Sequence, residues 1–330
     1  MTTLNTTLAT LRTLCHGEPT SEAWEQICQT LAPLSGQPLT LALGYARDHV
    51  LAWPADVRAY SGQLEGAIGQ PWLPLLGCLD LYSDQHQINV HTLLDDLLGH
   101  CQLQRLNLTG HDYRPQDVRV LARSPHVRHL THLVLTWNEL GDAGIRELAS
   151  SPNLTSLSHL DLSEPAPGSL ATPTGAKALA DSPHLTHLNW LNLDANAVGA
   201  QGAVALAMSP HLHHLRWLDL RRNGVGMEGA DAVARSANTD RLHHLGLATN
   251  ALGTPGARAI IHSPYLEQLT SLDLAHNTID DTLVELLLGS PMVARLKRLD
   301  LRYNHLDDDA VDELTEALPL PELLLRPQLV

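Results

Sequence analysis

A leucine returns every 27 residues along most of this chain, at Leu76, Leu103, Leu130 and Leu157, and again at Leu188, Leu215, Leu242, Leu269 and Leu296; only the step from Leu157 to Leu188 is longer, at 31. Each leucine opens a version of one pattern, L-x-x-L-x-L-x-x-N-x-L/V, which is complete from Leu215 to Val225. There Leu218 and Leu220 alternate with Trp217, Asp219 and Arg221, so a strand sends leucines to one face and polar or aromatic groups to the other. Asn223 stands where that strand ends, and its amide can satisfy backbone groups that a buried corner would leave unpaired. Units so regular bury their apolar faces on one another, which predicts an array rather than a globule.

The rest of each unit reads as a helix and its stop. Glycine and alanine open the helix at Gly141-Asp-Ala-Gly144, Gly175-Ala176, Gly199-Ala-Gln-Gly202, Gly226-Met-Glu-Gly229 and Gly253-Thr-Pro-Gly256. These small residues predict close packing of helix beneath strand. Ser-Pro follows at Ser124, Ser151, Ser182, Ser209, Ser263 and Ser290, where proline cannot continue the helix. A 27-residue unit with a full helix resembles the ribonuclease-inhibitor-like class of leucine-rich repeats, and Gly-x-x-Gly-Ala with Ser-Pro-His-Leu resembles bacterial members of it. The resemblance covers about residues 76–330. It implies an α/β solenoid, a horseshoe with an inner parallel β-sheet and outer helices, and binding on the concave face.

Residues 1–72 lack the repeat and are expected to form a helical N-terminal cap. Leu4, Leu8, Leu11 and Leu14 recur at helical spacing, Thr20 precedes a second helix through Leu31, and a third covers about Leu39 to Trp53. Residues 73–330 form the solenoid, with a closing strand at about 320–325. Pro319, Pro321 and Pro327 remove donors there and blunt the edge.

With Lys+Arg 21 against Asp+Glu 36, the net charge of -15 argues against a nucleic-acid partner. No leader and no membrane span is read, and Cys15, Cys28, Cys78 and Cys101 lack C-x-x-C spacing, so reduced thiols in a cytoplasmic protein are expected.

The residues beside the core leucines should line the concave face in rows about 4.8 Å apart. One row runs Asp80, Asn107, Val134, Asp161, Asn192, Asp219, Gly246, Asp273, Asp300. A second carries Cys78, Arg105, His132, His159, Trp190, Trp217, His244, Ser271 and Arg298, and a third, after the strand, includes Ser83, Trp137, Arg222, His276 and Tyr303. Together they describe an acidic floor with an aromatic band, suited to a protein partner with a basic segment. The expected contacts are Trp137, His159, Asp161, Trp190, Asn192, Asp194, Trp217, Asp219, Arg221, Arg222, His244, Asp273, Asp300 and Tyr303. Copying of Leu-Asp-Leu from repeat to repeat would also give a row of aspartates. Asn138, Asn196, Asn223, Asn250, Asn277 and Asn304 form the expected structural asparagine ladder. The 163–175 loop, where four residues are added and Pro165 takes the asparagine position, is a second candidate contact.

His211, His213, His214, His243 and His244 raise a metal site, and His214 and His244 are expected on equivalent positions of adjacent strands, but no third ligand is evident. No metal, cofactor or catalytic constellation is expected. The preferred function is a non-catalytic protein-interaction scaffold. One alternative is an inhibitor or GTPase-activating-type regulator of a partner enzyme, as the family resemblance implies; another is an activity in the cap, at Cys15-His16.

Overall fold

The computed structural model describes residues 2–62, 67, 69–81, 89–164 and 171–329. Eleven described strands form one open sheet, all parallel and in chain order. They are β1 (Ala59–Gly62), β2 (Cys78–Leu81), β3 (Arg105–Asn107), β4 (His132–Val134), β5 (His159–Asp161), β6 (Trp190–Asn192), β7 (Trp217–Asp219), β8 (His244–Gly246), β9 (Ser271–Asp273), β10 (Arg298–Asp300) and β11 (Glu322–Leu324). The register follows the repeat: Leu191 lies opposite Leu218, and Leu218 opposite Leu245. The central leucine of each strand, from Leu79 to Leu299, is buried, as is the next leucine of the motif from Leu81 to Leu301. The fold is thus an α/β leucine-rich repeat solenoid whose core is one continuous leucine stack.

Helices return the chain after the strands, among them Gly141–Ala149, Gly199–Ala207, Gly226–Arg235 and Gly253–Ile261. Their small residues serve helix against helix as much as helix against strand. A Cβ on Gly202 would stand 2.6 Å from Val198 Cγ1 and 3.0 Å from Ala176 Cβ of the preceding helix. The serine of Ser-Pro has a role that its proline hides. Ser151 Oγ donates to Ala122 O at 2.5 Å, Ser209 Oγ to Ala180 O at 2.5 Å and Ser263 Oγ to Ala234 O at 2.6 Å, so each serine takes up a carbonyl at the end of the previous unit's helix.

The asparagine ladder closes the other corner. Asn277, fully buried, donates from Nδ2 to the carbonyls of Leu247, Leu274 and Ala275 at 2.9, 3.1 and 3.1 Å, and its Oδ1 accepts from Asn250 N and Leu252 N at 3.0 and 3.2 Å. Asn138, Asn196, Asn223, Asn250 and Asn304 repeat much of this pattern. Substitutes fill places that lack asparagine. Gln328, eight residues after Leu320, donates to Leu301 O and Leu325 O and accepts from Asn304 N at 2.8 Å, so the last unit keeps the ladder without an asparagine. His111 takes the same place after Leu103 and reaches Leu81 O at 3.3 Å. Pro165 lies outside the described residues, but Glu164 beside it accepts from Asn138 N at 3.1 Å.

Helices α1 (Thr2–Cys15), α2 (Ser21–Leu31) and α3 (Gly36–Val50) precede the sheet, and Thr20 caps α2 by accepting from Ala23 N at 3.1 Å. The segment 1–72 is not helical throughout, however. Strand β1 falls inside it, so the sheet begins one strand before the first repeat leucine. Trp24 of α2 donates from Nε1 to Ala59 O at 3.0 Å and ties the helices to this strand.

Arg58, next to β1, is 2% exposed, and its guanidinium donates to Trp53 O at 3.2 Å and Leu75 O at 2.6 Å. We expect Arg58→Ala to lower stability by about 3 kcal/mol in urea unfolding, because two buried carbonyls lose their donor and a cavity opens. Arg58→Met should cost less, since it keeps volume and removes the desolvated charge; equal losses would contradict this account. Among the described residues, no helix is long and apolar enough to cross a membrane.

Candidate functional site

In-register parallel strands bring equivalent positions side by side, and on the face opposite the helices this stacks five rings. His132 and His159 lie 3.8 Å apart between centroids at 15°, and Trp217 and His244 lie 3.5 Å apart at 12°. Trp190 sits between these tight pairs, 6.1 Å from His159 and 6.2 Å from Trp217. Burial pushes the His132 imidazole down to about 4, assisted by His159 and Arg105; burial also pushes His244 down to about 4, assisted by Arg221 and Arg298. His159 is lowered likewise. The ladder is therefore neutral at pH 7.

Just past the strands, the residue before each ladder position takes a left-handed conformation: Gly110, Trp137, Ala195, Arg222, Thr249, His276 and Tyr303 all have positive φ. For Trp137, at φ +58°, this costs on the order of 1 kcal/mol, which glycine would avoid. Trp137 is also 53% exposed, so burial does not offset that cost. A strained, uncovered tryptophan is a candidate contact. His276 and Tyr303 stack at 4.2 Å on the same rim.

The acidic floor divides into two halves. In the C-terminal half the carboxylates are neutralised from within. Arg221 Nη2 lies 2.7 Å from Asp219, Arg222 Nη2 2.6 Å from Asp194, and Arg302 Nη2 2.7 Å from Asp300. Asp219 and Asp300 are 2% and 1% exposed. Asp219 sinks because Gly246 leaves room: a Cβ there would stand 2.6 Å from Asp219 Oδ1. Asp194 and Asp219 are thus held by Arg221 and Arg222, and Asp300 by Arg302, rather than left open for a partner. Asp273 is a partial exception, half-buried and accepting from Ala275 N at 3.1 Å, with burial pushing its carboxyl up.

The N-terminal half is different. Asp161 accepts from Ser163 N at 3.0 Å, Ser163 Oγ at 2.8 Å and Asn192 Nδ2 at 3.2 Å, and among the described residues no cation pairs with it. Asp80 and Arg105 likewise make no ion pair among the described residues. A cleft of about 250 Å³ opens over β2–β6 and is lined by residues of this half.

The leucine-rich repeat family matches residues 126–149, 182–207, 211–234, 267–284 and 296–314, five segments that contain β4, β6, β7, β9 and β10. The chain's fold is that of a leucine-rich repeat protein. Among solved structures it is similar to an internalin from Listeria monocytogenes str. 4b F2365, with 18% identity and a TM-score of 0.42 over 77% of this chain. The match spans 62% of that internalin. No curated protein matches the sequence.

On this leucine-rich repeat scaffold, the expected contacts separate into groups. His159, Trp190, Trp217 and His244 share the ring ladder, Asp161 and Asn192 form one hydrogen-bonded pair, and Trp137, Arg222 and Tyr303 share the left-handed rim. His214 and His244 are not equivalent. His214 Nδ1 meets Arg241 Nη1 at 3.1 Å, whereas His244 stacks on Trp217, because His214 lies three residues ahead of its strand position. Among the described residues no three His, Cys, Asp or Glu side chains converge for a metal. Cys15 is buried, and burial pushes its thiol up to about 11, so it carries no thiolate at neutral pH. Ser83 and residues 165–170 of the 163–175 loop lie outside the described residues. The Asp219–Arg221 lock and the role of Gly246 were missed, and both were signalled by residues two apart or in register on one strand face.

Proposed function

We propose that this protein is a non-catalytic interaction scaffold that receives a protein partner on the N-terminal half of its concave face, β2 to β6. The observation that carries this reading is the division of the floor. Apart from Asp273, the floor carboxylates of the C-terminal half are paired with neighbouring arginines, while Asp161 and the edges of the ring ladder face an open cleft. Exposed Trp137 and half-buried Trp190 supply the aromatic anchors that dominate protein interfaces. The 27-residue unit with a full helix supports placement in the ribonuclease-inhibitor-like class. Cys15, buried and outside any disulfide, supports a reducing, cytoplasmic setting. No observation favours the regulator of a partner enzyme over the plain scaffold, and the Cys15 thiol weakens the case for chemistry in the cap.

The test compares proteins captured from native extract by the wild type, by Trp190→Ala/Trp217→Ala, and by Met227→Ser on the helical face. A partner retained by Met227→Ser should lose about 2 kcal/mol or more of affinity in the tryptophan variant. Equal capture by all three would remove the concave face from the function.

A further inference from the structure

The cleft over β2–β6 has a floor and walls of distinct chemistry. Val134 is the one apolar side chain in the row that otherwise carries Asp or Asn across these strands, and it is flanked in register by Asn107 and Asp161. His132, His159 and Trp190 border it on the ring-ladder side.

The hydrogen bonds fix the histidine tautomers. Thr131 Oγ1 donates to Gln104 O at 3.1 Å, and Ser158 Oγ donates to Thr131 O at 3.1 Å, so each hydroxyl has used its only proton. The contacts from His132 Nδ1 to Thr131 Oγ1 at 2.9 Å and from His159 Nδ1 to Ser158 Oγ at 2.8 Å must then run from ring N–H to hydroxyl oxygen. Both rings consequently keep an Nε2 lone pair, and no described residue donates to either. The rings are nearly parallel at 3.8 Å, so these lone pairs run side by side rather than converge. Such an arrangement is unsuited to one metal ion, whose ligands must meet at about 2.0–2.1 Å. It suits a donor with several N–H groups spread in a plane. Asp161 adds a carboxylate that pairs with no cation among the described residues, and Trp190, more than 6 Å from either neighbouring ring, is not closed over by them.

We propose that this cleft seats one arginine side chain of the partner protein, with its guanidinium donating to Asp161 and to Nε2 of His132 and His159, and its methylene stem on Val134. Arginine fits better than lysine because its N–H groups lie in a fixed plane that can also rest against an indole. The assignment rests on the concave-face reading and names the residue that the face selects. Arg105, at the other edge of the cleft, sets the competing outcome, since it is the group an acidic side chain would seek.

The experiment uses the full chain with 13C-labelled histidine Cε1, and follows the His132 and His159 signals by NMR, each assigned by its loss in His132→Phe or His159→Phe. The probes are three capped tripeptides, acetyl-Gly-Xaa-Gly-amide, with arginine, citrulline or glutamate at the centre. The arginine peptide should shift both signals saturably, with citrulline at least tenfold weaker. Asp161→Asn should weaken the arginine peptide at least tenfold, and Asp273→Asn should leave it unchanged. An equal response to citrulline, a response to glutamate alone, or no response to arginine overturns the proposal. Loss of the partner in Trp190→Ala/Trp217→Ala without any arginine response would overturn this assignment alone. Arginine binding alongside unchanged capture would instead overturn the scaffold reading of the face and leave the cleft as an arginine site.

Discussion

Asn277→Ala is expected to lower the stability of the solenoid by about 5 kcal/mol, read as a fall in the urea midpoint. The side chain makes five hydrogen bonds, three as donor and two as acceptor, and all of their backbone partners are buried. Each buried group left unpaired costs about 1–3 kcal/mol, and relaxation of the turn recovers part of the total. The loss also spreads beyond one unit. Asn277 accepts from Asn250 N and donates to Leu247 O, so its removal weakens the contact between neighbours on which a solenoid depends. Asn277→Asp separates the two roles: it keeps the acceptor, loses the three donated bonds and buries a charge, so it should be no milder than alanine. A loss below 1 kcal/mol in both variants would show that the ladder is decorative.

That ladder was legible in the sequence because its signal is a spacing, and spacings survive substitution. Counting eight residues from the first leucine also finds His111 and Gln328, which the letter N alone does not. The electrostatics were harder to read. Asp161, Asp219 and Asp300 occupy one motif position, yet only the last two are locked. The difference lies two residues on, where Asp219 and Asp300 are followed by Arg221 and Arg302 but Asp161 by Ser163. Residues i and i+2 share a strand face, so the lock is a local signal after all. The pairing of Arg222 with Asp194 crosses units and depends on the left-handed backbone at Arg222, which no spacing announces. Strand β1 was hidden for another reason. Ala59-Tyr60-Ser61-Gly62 has no leucine alternation, and its place in the sheet comes from β2 on one side and Trp24 on the other.

Acidification from pH 7 to pH 4 is expected to remove on the order of 4 kcal/mol of stability, most of it above pH 5. His132 and His244 carry the effect. In the unfolded chain an imidazole takes up its proton near pH 6.5, but in the folded ladder these two remain neutral until about 4. Between those values the unfolded state binds more protons, so stability falls as pH falls. The rings are only partly buried, and water screens some of the penalty, so the figure is set below what the full shifts would give. Asp219 and Asp273 act in the opposite sense. Burial holds their carboxyls above the usual value, so the folded state takes up protons first and gains stability on acidification, but only toward the acid end of the range. The slope should therefore be steepest between about pH 6.5 and 5 and shallower below. His132→Phe/His244→Phe keeps flat rings in the stack and removes both protons from the balance, so its urea midpoint should vary much less over this range than that of the wild type. A variant with the wild-type slope would place the acid sensitivity outside the ring ladder.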